Sequence, residues 1–370
     1  MNFKENFLTN LRSIPFSIIF LVCIISCYGV LVLYSANNGS FYPLAANQMI
    51  KFFIFMIIGI VIGCAVNSTF LYNISYPFFA LNILLLLLVH KFGHIAKGGT
   101  RWLNIGILKI QPSEIAKISI ILFLARYFHD LKAQKRIELL DVIVPFFLCM
   151  LPITLIIKQP DLGTGIICLA ITIGLIFISG LRLRYFIGLL AMFLCAAPIL
   201  WSKLHDYQKK RILIFLNPNE DLLGAGYNIQ QSKIAIGSGG FWGKGLLGGS
   251  QSHLHFLPEF HTDFAFALLC EEFGFVGASI LMLLYFLLIV RYVIVIFNCN
   301  NIFAKMLVSG VALMLFLHCF INIGMVMGIM PVVGVPLPFI SYGGTMIGVM
   351  LIGMGLVINI ELNSWQKRYR

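Results

Sequence analysis

The sequence predicts an all-α integral membrane protein, a polytopic bundle of about ten transmembrane helices with a large extracytoplasmic loop between spans 7 and 8. Three observations lead there. Hydrophobic residues make up 60% of the chain and charged residues 11%, with a mean hydropathy of +0.95, whereas a water-soluble domain carries about 25% charged residues. Apolar runs of spanning length recur along most of the chain. These runs are too long and too evenly apolar for barrel strands, and backbone in lipid must satisfy its hydrogen bonds internally, so the spans are helices.

The first run, Ile14 to Tyr34, is long enough to span and lacks an A-x-A-like exit, so it reads as a retained helix and not a cleaved signal peptide. Further runs cover 48–66, 71–89, 113–128, 142–157, 165–180 and 185–201. A polar stretch, Ser202 to Thr262, separates these seven from the last three, at 263–290, 303–328 and 343–360. Residues 1–370 thus form a single polytopic membrane domain that contains the large loop 202–262.

Ten spans bring both termini to one side. Lys4 and Arg12 precede the first span and no Lys or Arg lies between Ser35 and Asn47, which places the N-terminus in the cytoplasm. The tail Lys367, Arg368 and Arg370 agrees, as do the connections bearing Lys132, Lys135 and Arg136 and bearing Arg182 and Arg184. Lys91, Lys97, Arg101 and Lys109 run against this trend in a short loop on the other side. A bound anion would account for them, and so would a weak topological bias overruled by the other spans.

The formal net charge of +12 suggests nucleic acid in a soluble protein. Here the basic residues mostly punctuate apolar segments and meet anionic headgroups, so nucleic-acid binding is excluded. Nine cysteines without a C-x-x-C pair support neither a disulfide framework nor a metal cluster.

Several groups have chemical potential. Pro112 suits the first turn of a helix, on which Glu114 and Lys117 lie three apart on one face. In the outer turns of a membrane helix both are costly unless paired or facing a wet cavity; a helix-dipole Glu with a snorkelling Lys is the plainer alternative. Thr262 or Asp263 would serve as an N-cap for the span that follows. Yet Glu259, His261 and Asp263 cluster at the membrane surface, with Glu271 and Glu272 further along the same segment, and such a concentration of ionisable groups marks a candidate site.

One carboxylate there would act as general base on a sugar hydroxyl while nearby Arg and Lys stabilise a departing diphosphate. No metal site is assigned: His253-x-His255 lacks a ligand spacing, although a divalent cation held by Asp263 and its neighbours stays open. The glycine-rich stretch Gly237 to Gly245 is no P-loop, since Gly245 stands in place of the Ser or Thr. Its N–H groups would cradle a phosphate or simply form a loop. Pro331 to Gly344 holds too much Pro and Gly for a continuous helix, and broken backbone is tolerated in a membrane only beside protein or a watery cavity.

In order, G-T-R-W-L-N-I-G, Q-P-S-E-I-A-K, L-P-E-F-H-T-D-F-A-F-A, E-E-F-G-F-V-G and P-V-V-G-V-P-L-P-F-I-S-Y-G-G resemble the SEDS family of peptidoglycan polymerases over nearly the whole chain. The stretches N-P-N-E-D-L-L-G-A-G-Y-N-I-Q-Q-S-K-I-A-I-G-S-G-G and Q-S-H-L-H-F-L-P-E resemble its elongation branch, RodA, more than its division branch, FtsW. Phe260 and Ala265 depart from the family's usual residues without removing a titratable group.

The resemblance implies a glycosyltransferase polymerising lipid II into glycan strands during cell-wall elongation and rod-shape maintenance. It would work on the outer face of the cytoplasmic (inner) membrane of a bacterium, with a class B penicillin-binding protein and other elongation-machinery proteins as partners. It assigns Asp263 the essential acidic role and Glu114 and Lys117 functional roles, and it marks Trp102, beside Arg101, as sensitive. Arg101, Lys117 and Arg211 would hold the undecaprenyl diphosphate, or Lys117 would be tied to Glu114; His261 and Glu259 stand as supporting residues. A lipid II flippase or transporter is the alternative, because broken helices and intramembrane charges also suit a carrier.

Overall fold

The computed structural model describes residues 10–11, 13–92, 94–96, 99–105, 108–132, 137–203, 209, 213–217, 224–253, 256 and 259–368. The long helices coincide with the predicted runs: α1 (Phe16–Ala36), α2 (Leu44–Ala65), α3 (Ser68–Phe92), α4 (Pro112–Lys132), α5 (Leu139–Lys158), α6 (Leu162–Ile178) and α7 (Leu183–Lys203). After two shorter helices, α8 (Ala225–Gly239) and α9 (Ser250–His253), come α10 (Ala265–Asn298), α11 (Ile302–Val326) and α12 (Gly344–Arg368). The chain is a multi-pass membrane protein.

Seven of these helices are long and apolar enough to cross a membrane by length and composition alone. The apolar stretches of α6 and α7 are shorter. Helix α4 misses the same measure because it carries Glu114, Lys117, Arg126 and Asp130. Those charges survive in a membrane because α4 is an inner helix, packed against α3, α6 and α11, with an unbroken buried run from Ala116 to Ala125.

Helix α12 forms the centre of the bundle, 89% of its most apolar stretch being buried, against 33% for α2. The two helices touch backbone to backbone: a Cβ on Gly355 would lie 2.3 Å from the Gly59 carbonyl oxygen. Small residues permit such close approach where lipid supplies no hydrophobic drive between helices. Large apolar side chains such as Phe20, Ile57, Phe147 and Phe286 project outward, as lipid contact requires.

Two features are additions to the predicted architecture. Strands β1 (His94–Ala96), β2 (Gly99–Ile105) and β3 (Leu108–Ile110) form a small antiparallel sheet in order β1-β2-β3 between α3 and α4. Strands this short leave no trace in a reading built on spanning runs. The stretch 202–262 holds α8, which packs on α10 and α11, and Ser232 of α8 donates to the Val326 carbonyl at 2.8 Å.

Helix α10 is broken at Gly274, whose φ of 63° and ψ of −163° are open only to glycine. The glycine-rich stretch docks into this break. Lys244 and Gly245 donate their N–H groups to the carbonyls of Glu271 and Glu272, and the N–H groups of Phe275 and Val276 go to the carbonyls of Gly240 and Phe241. Gly243 donates to Gly239. Most of the N–H groups considered for a phosphate cradle are therefore spent on the protein's own carbonyls, which favours the plain loop.

Candidate active site

Helices α4, α6, α10 and α12 all begin around one cavity of about 340 Å³. Their N-termini carry partial positive charge, which together with Arg101 stands against the carboxylates of Glu114, Asp161 and Asp263 in the same lining. Arg101 and Trp102 of β2, Glu114 of α4, Asp161 at the entry to α6, Thr262 and Asp263 before α10, His318 of α11, and the segments 333–336 and 342–346 all line it.

Arg101 donates through Nε to the Gln159 carbonyl at 3.2 Å and through Nη2 to the Pro160 carbonyl. The guanidinium thus pins β2 to the turn between α5 and α6, and it remains at the cavity wall. Trp102 beside it is half-buried.

Glu114 and Lys117 form a buried ion pair, Nζ to Oε2 2.8 Å, with Lys117 wholly inaccessible to solvent. The same ammonium lies 2.8 Å from His318 Nε2. An ammonium only donates, so Nε2 accepts and the ring proton sits on Nδ1, 3.5 Å from the Pro336 carbonyl. Of the two arrangements the sequence leaves open, Lys117 takes the one tied to Glu114. It lies behind the wall that Glu114 and His318 present.

Asp161 caps α6 by accepting from Thr164 N at 3.4 Å, and its other oxygen accepts from Ser113 Oγ at 2.9 Å and Gln111 Nε2 at 3.1 Å. One carboxylate thereby joins the starts of α4 and α6.

Asp263 is half-buried and precedes the N-cap of α10, which falls on Phe264 and carries no side-chain cap bond. Asp263 thus stands one residue before the N-cap position. Its Oδ2 lies 3.5 Å from where a Cβ on Gly334 would sit, in the broken segment between α11 and α12. Buried Asn322 of α11 donates to the carbonyls of Asp263 at 2.9 Å and Val335 at 2.6 Å. Half of the residues from Pro331 to Gly344 are buried and several line the cavity, in keeping with Pro- and Gly-rich backbone at membrane depth.

Among the sequence candidates, Arg101, Trp102, Glu114 and Asp263 therefore share one cavity. The lining takes in neither Glu259 nor His261. Glu259 accepts from the Thr262 hydroxyl at 2.7 Å and shapes the turn into α10, while the His261 carbonyl accepts from Tyr342 N at 2.9 Å. Glu271 and Glu272, read as companions of Asp263, are buried elsewhere, which is a correction. Glu271 binds Lys244 at 2.7 Å and Gln251 N at 3.0 Å; Glu272 accepts from Ser35 and from Leu247 N. They anchor the loop docked at Gly274. Arg211 and His255 lie outside the described residues.

Sequence reasoning missed His318, Asp161, Asn322 and Lys51, whose Nζ sits 4.6 Å from the centre of the cavity-lining Tyr342 ring. For His318, Asn322 and Lys51 the signal is a polar residue inside an apolar run, whereas Asp161 sits in the short polar turn between two runs. Among the described residues no three His, Cys, Asp or Glu side chains converge as a metal site.

The model of the FtsW/RodA/SpoVE family, described as cell cycle proteins, matches residues 15–366. The chain belongs to that family. It is 48% identical over 281 residues to the peptidoglycan glycosyltransferase MrdB of Escherichia coli K12, covering 75% of each chain. It is 31% identical to the peptidoglycan glycosyltransferase RodA of Treponema pallidum, covering 90% of this chain and 94% of that one. Among solved structures, it matches a chain of a peptidoglycan synthase complex that coordinates polymerization and crosslinking, with a TM-score of 0.84 at 30% identity, covering 95% of this chain and 99% of that chain. It also matches the rod shape determining protein RodA of Thermus thermophilus, with a TM-score of 0.70 at 27% identity over 96% and 98%.

Proposed function

We propose that this chain is the peptidoglycan glycosyltransferase of cell-wall elongation, polymerising lipid II into glycan strands with Asp263 as the general base. The observation that carries the reading is the half-buried Asp263 carboxylate, facing a cavity ringed by four helix N-termini and Arg101. Asp263 takes the proton from the 4-hydroxyl of the acceptor sugar. The oxygen forms a bond to the anomeric carbon of the donor with inversion, and the undecaprenyl diphosphate leaves with the electron pair of the broken bond. The N-termini and Arg101 stabilise the charge on that leaving group, with Arg211 included on sequence grounds. Lys117 acts from behind, fixing Glu114 and His318.

On this reading the cavity opens on the outer face of a bacterial cytoplasmic membrane, with both termini and the Arg182–Arg184 connection in the cytoplasm. A class B penicillin-binding protein is the expected partner, a proposal supported by the likeness to a synthase complex.

The test is polymerisation of purified lipid II by the full chain with its partner. Asp263→Asn and Asp263→Ala are expected to abolish glycan strands while the proteins still insert and purify. Full activity in either variant ends the role given to Asp263. Transport of lipid II across proteoliposomes without polymerisation would replace the enzyme by a carrier.

A further inference from the structure

At the far ends of α5 and α6 from the active-site cavity, two contiguous hollows share Leu139 and Tyr185. One, of about 590 Å³, is polar and is lined by Arg182, Arg184 and Glu138. The other, of about 170 Å³, runs between α5, α6 and α7 and is lined by apolar side chains, among them Val142, Phe146, Ile173 and Leu189, with Tyr185 at the shared edge. We propose that together they bind one anionic phospholipid, its phosphate at the two arginines and the start of an acyl chain in the apolar groove.

Charge and chemistry both point to this occupant. Among the described residues no carboxylate pairs with Arg182 or Arg184, and both are exposed. Arg184 is held at the mouth by Tyr185, donating to its hydroxyl at 3.0 Å and lying 4.9 Å from the ring centre. Glu138, the acidic group of this hollow, forms a capping box with Asp141 at the start of α5. The lining of this hollow thus sets two arginines against one carboxylate, a net positive charge. Arginine pairs with phosphate through two parallel N–H bonds, and a basic pocket between helices at the membrane surface is a recognised form of headgroup site. The adjoining groove opens on the lipid-facing surface, where Phe147 and Leu189 are exposed, so a chain entering it leaves the bilayer without crossing water. A soluble phosphate would leave the groove without an occupant.

The site is tested by native mass spectrometry of the full chain released from detergent micelles doped with palmitoyl-oleoyl phosphatidylglycerol or, in parallel, phosphatidylcholine. One phosphatidylglycerol is expected to remain bound under conditions that strip phosphatidylcholine. R182Q/R184Q is expected to weaken phosphatidylglycerol binding about 30-fold, from the usual attraction of two basic residues to an anionic surface. R182K/R184K keeps most of it. Ile173→Trp, which fills the groove and leaves both arginines, lowers retention as well. Melting at the wild-type temperature shows that each variant is folded, and the Ile173→Trp and R182K/R184K arms are read independently of R182Q/R184Q. Equal retention of the two lipids would mark the groove as ordinary bilayer contact and overturn the proposal. Unchanged phosphatidylglycerol binding in R182Q/R184Q would do so too, leaving the arginines as topological charges.

Discussion

Asn322 holds Asp263 by its backbone: one amide nitrogen on α11 donates both to the Asp263 carbonyl at 2.9 Å and to the Val335 carbonyl at 2.6 Å. The entry to α10 and the broken segment before α12 are thereby fixed to the same helix. The carboxylate of Asp263 and the floor of the cavity cannot drift apart while that amide is in place.

Replacing Asn322 should therefore cost activity without touching a reacting group. Asn322→Ala leaves two buried carbonyls unsatisfied, and Asn322→Asp sets a carboxylate against them, so both variants should fold less stably by about 1–3 kcal/mol. Lipid II polymerisation should fall about 100-fold, the scale of a misplaced catalytic group. An Asn322→Asp protein with wild-type turnover would show that the clamp is dispensable.

The Glu114–Lys117 pair should behave as a unit. Removing one partner by Lys117→Met or Glu114→Gln strands a buried charge, at a cost of about 3–5 kcal/mol. The double variant should melt above either single variant in detergent, because no charge is left unpaired. Additive losses in that cycle would mean the two groups do not interact.

Gly334 adopts a φ of +73° against the Asp263 carboxylate. Gly334→Ala adds about 1–2 kcal/mol of left-handed strain and a methyl group 3.5 Å from Oδ2. Polymerisation should drop about tenfold or more, with expression near wild type. The bulkier Gly334→Val should be worse in the same assay.

At the break in α10, Gly274→Ala would place a Cβ 2.3 Å from the Gly243 nitrogen, backbone that cannot step aside. Loss of the docked loop should destabilise the protein by about 3 kcal/mol or more, read as a lower melting temperature in detergent. Faster proteolysis between 240 and 250 should accompany it. A Gly274→Ala protein as stable as wild type would show that the loop does not depend on this contact.

Much of the fold was legible because lipid imposes a one-dimensional rule, and that rule found even α4, whose charges hide inside the bundle. Asp263, Glu114 and Lys117 were visible as ionisable residues in expensive places. The plain alternative of a snorkelling Lys117 fell only when its amine was seen between Glu114 and His318. Glu271 and Glu272 looked like company for Asp263 because they share its segment, but the helix turns them toward the loop at Gly274. Asn322 and Lys51 come from other spans, and Asp161 from the short polar turn between two of them.

By itself the sequence determined the solvent, the ten helices, the break after α11 and the types of residue that sit at a chemical site. Each follows from local composition, because transfer into lipid is decided segment by segment. Only the tertiary structure decided which of the charged groups meet. Lys117 and His318 are far apart in the chain and their amine-to-ring contact is 2.8 Å, set by how α4 and α11 pack. Hydropathy cannot carry that information, since a polar residue reports its cost in the membrane but not the partner that offsets it.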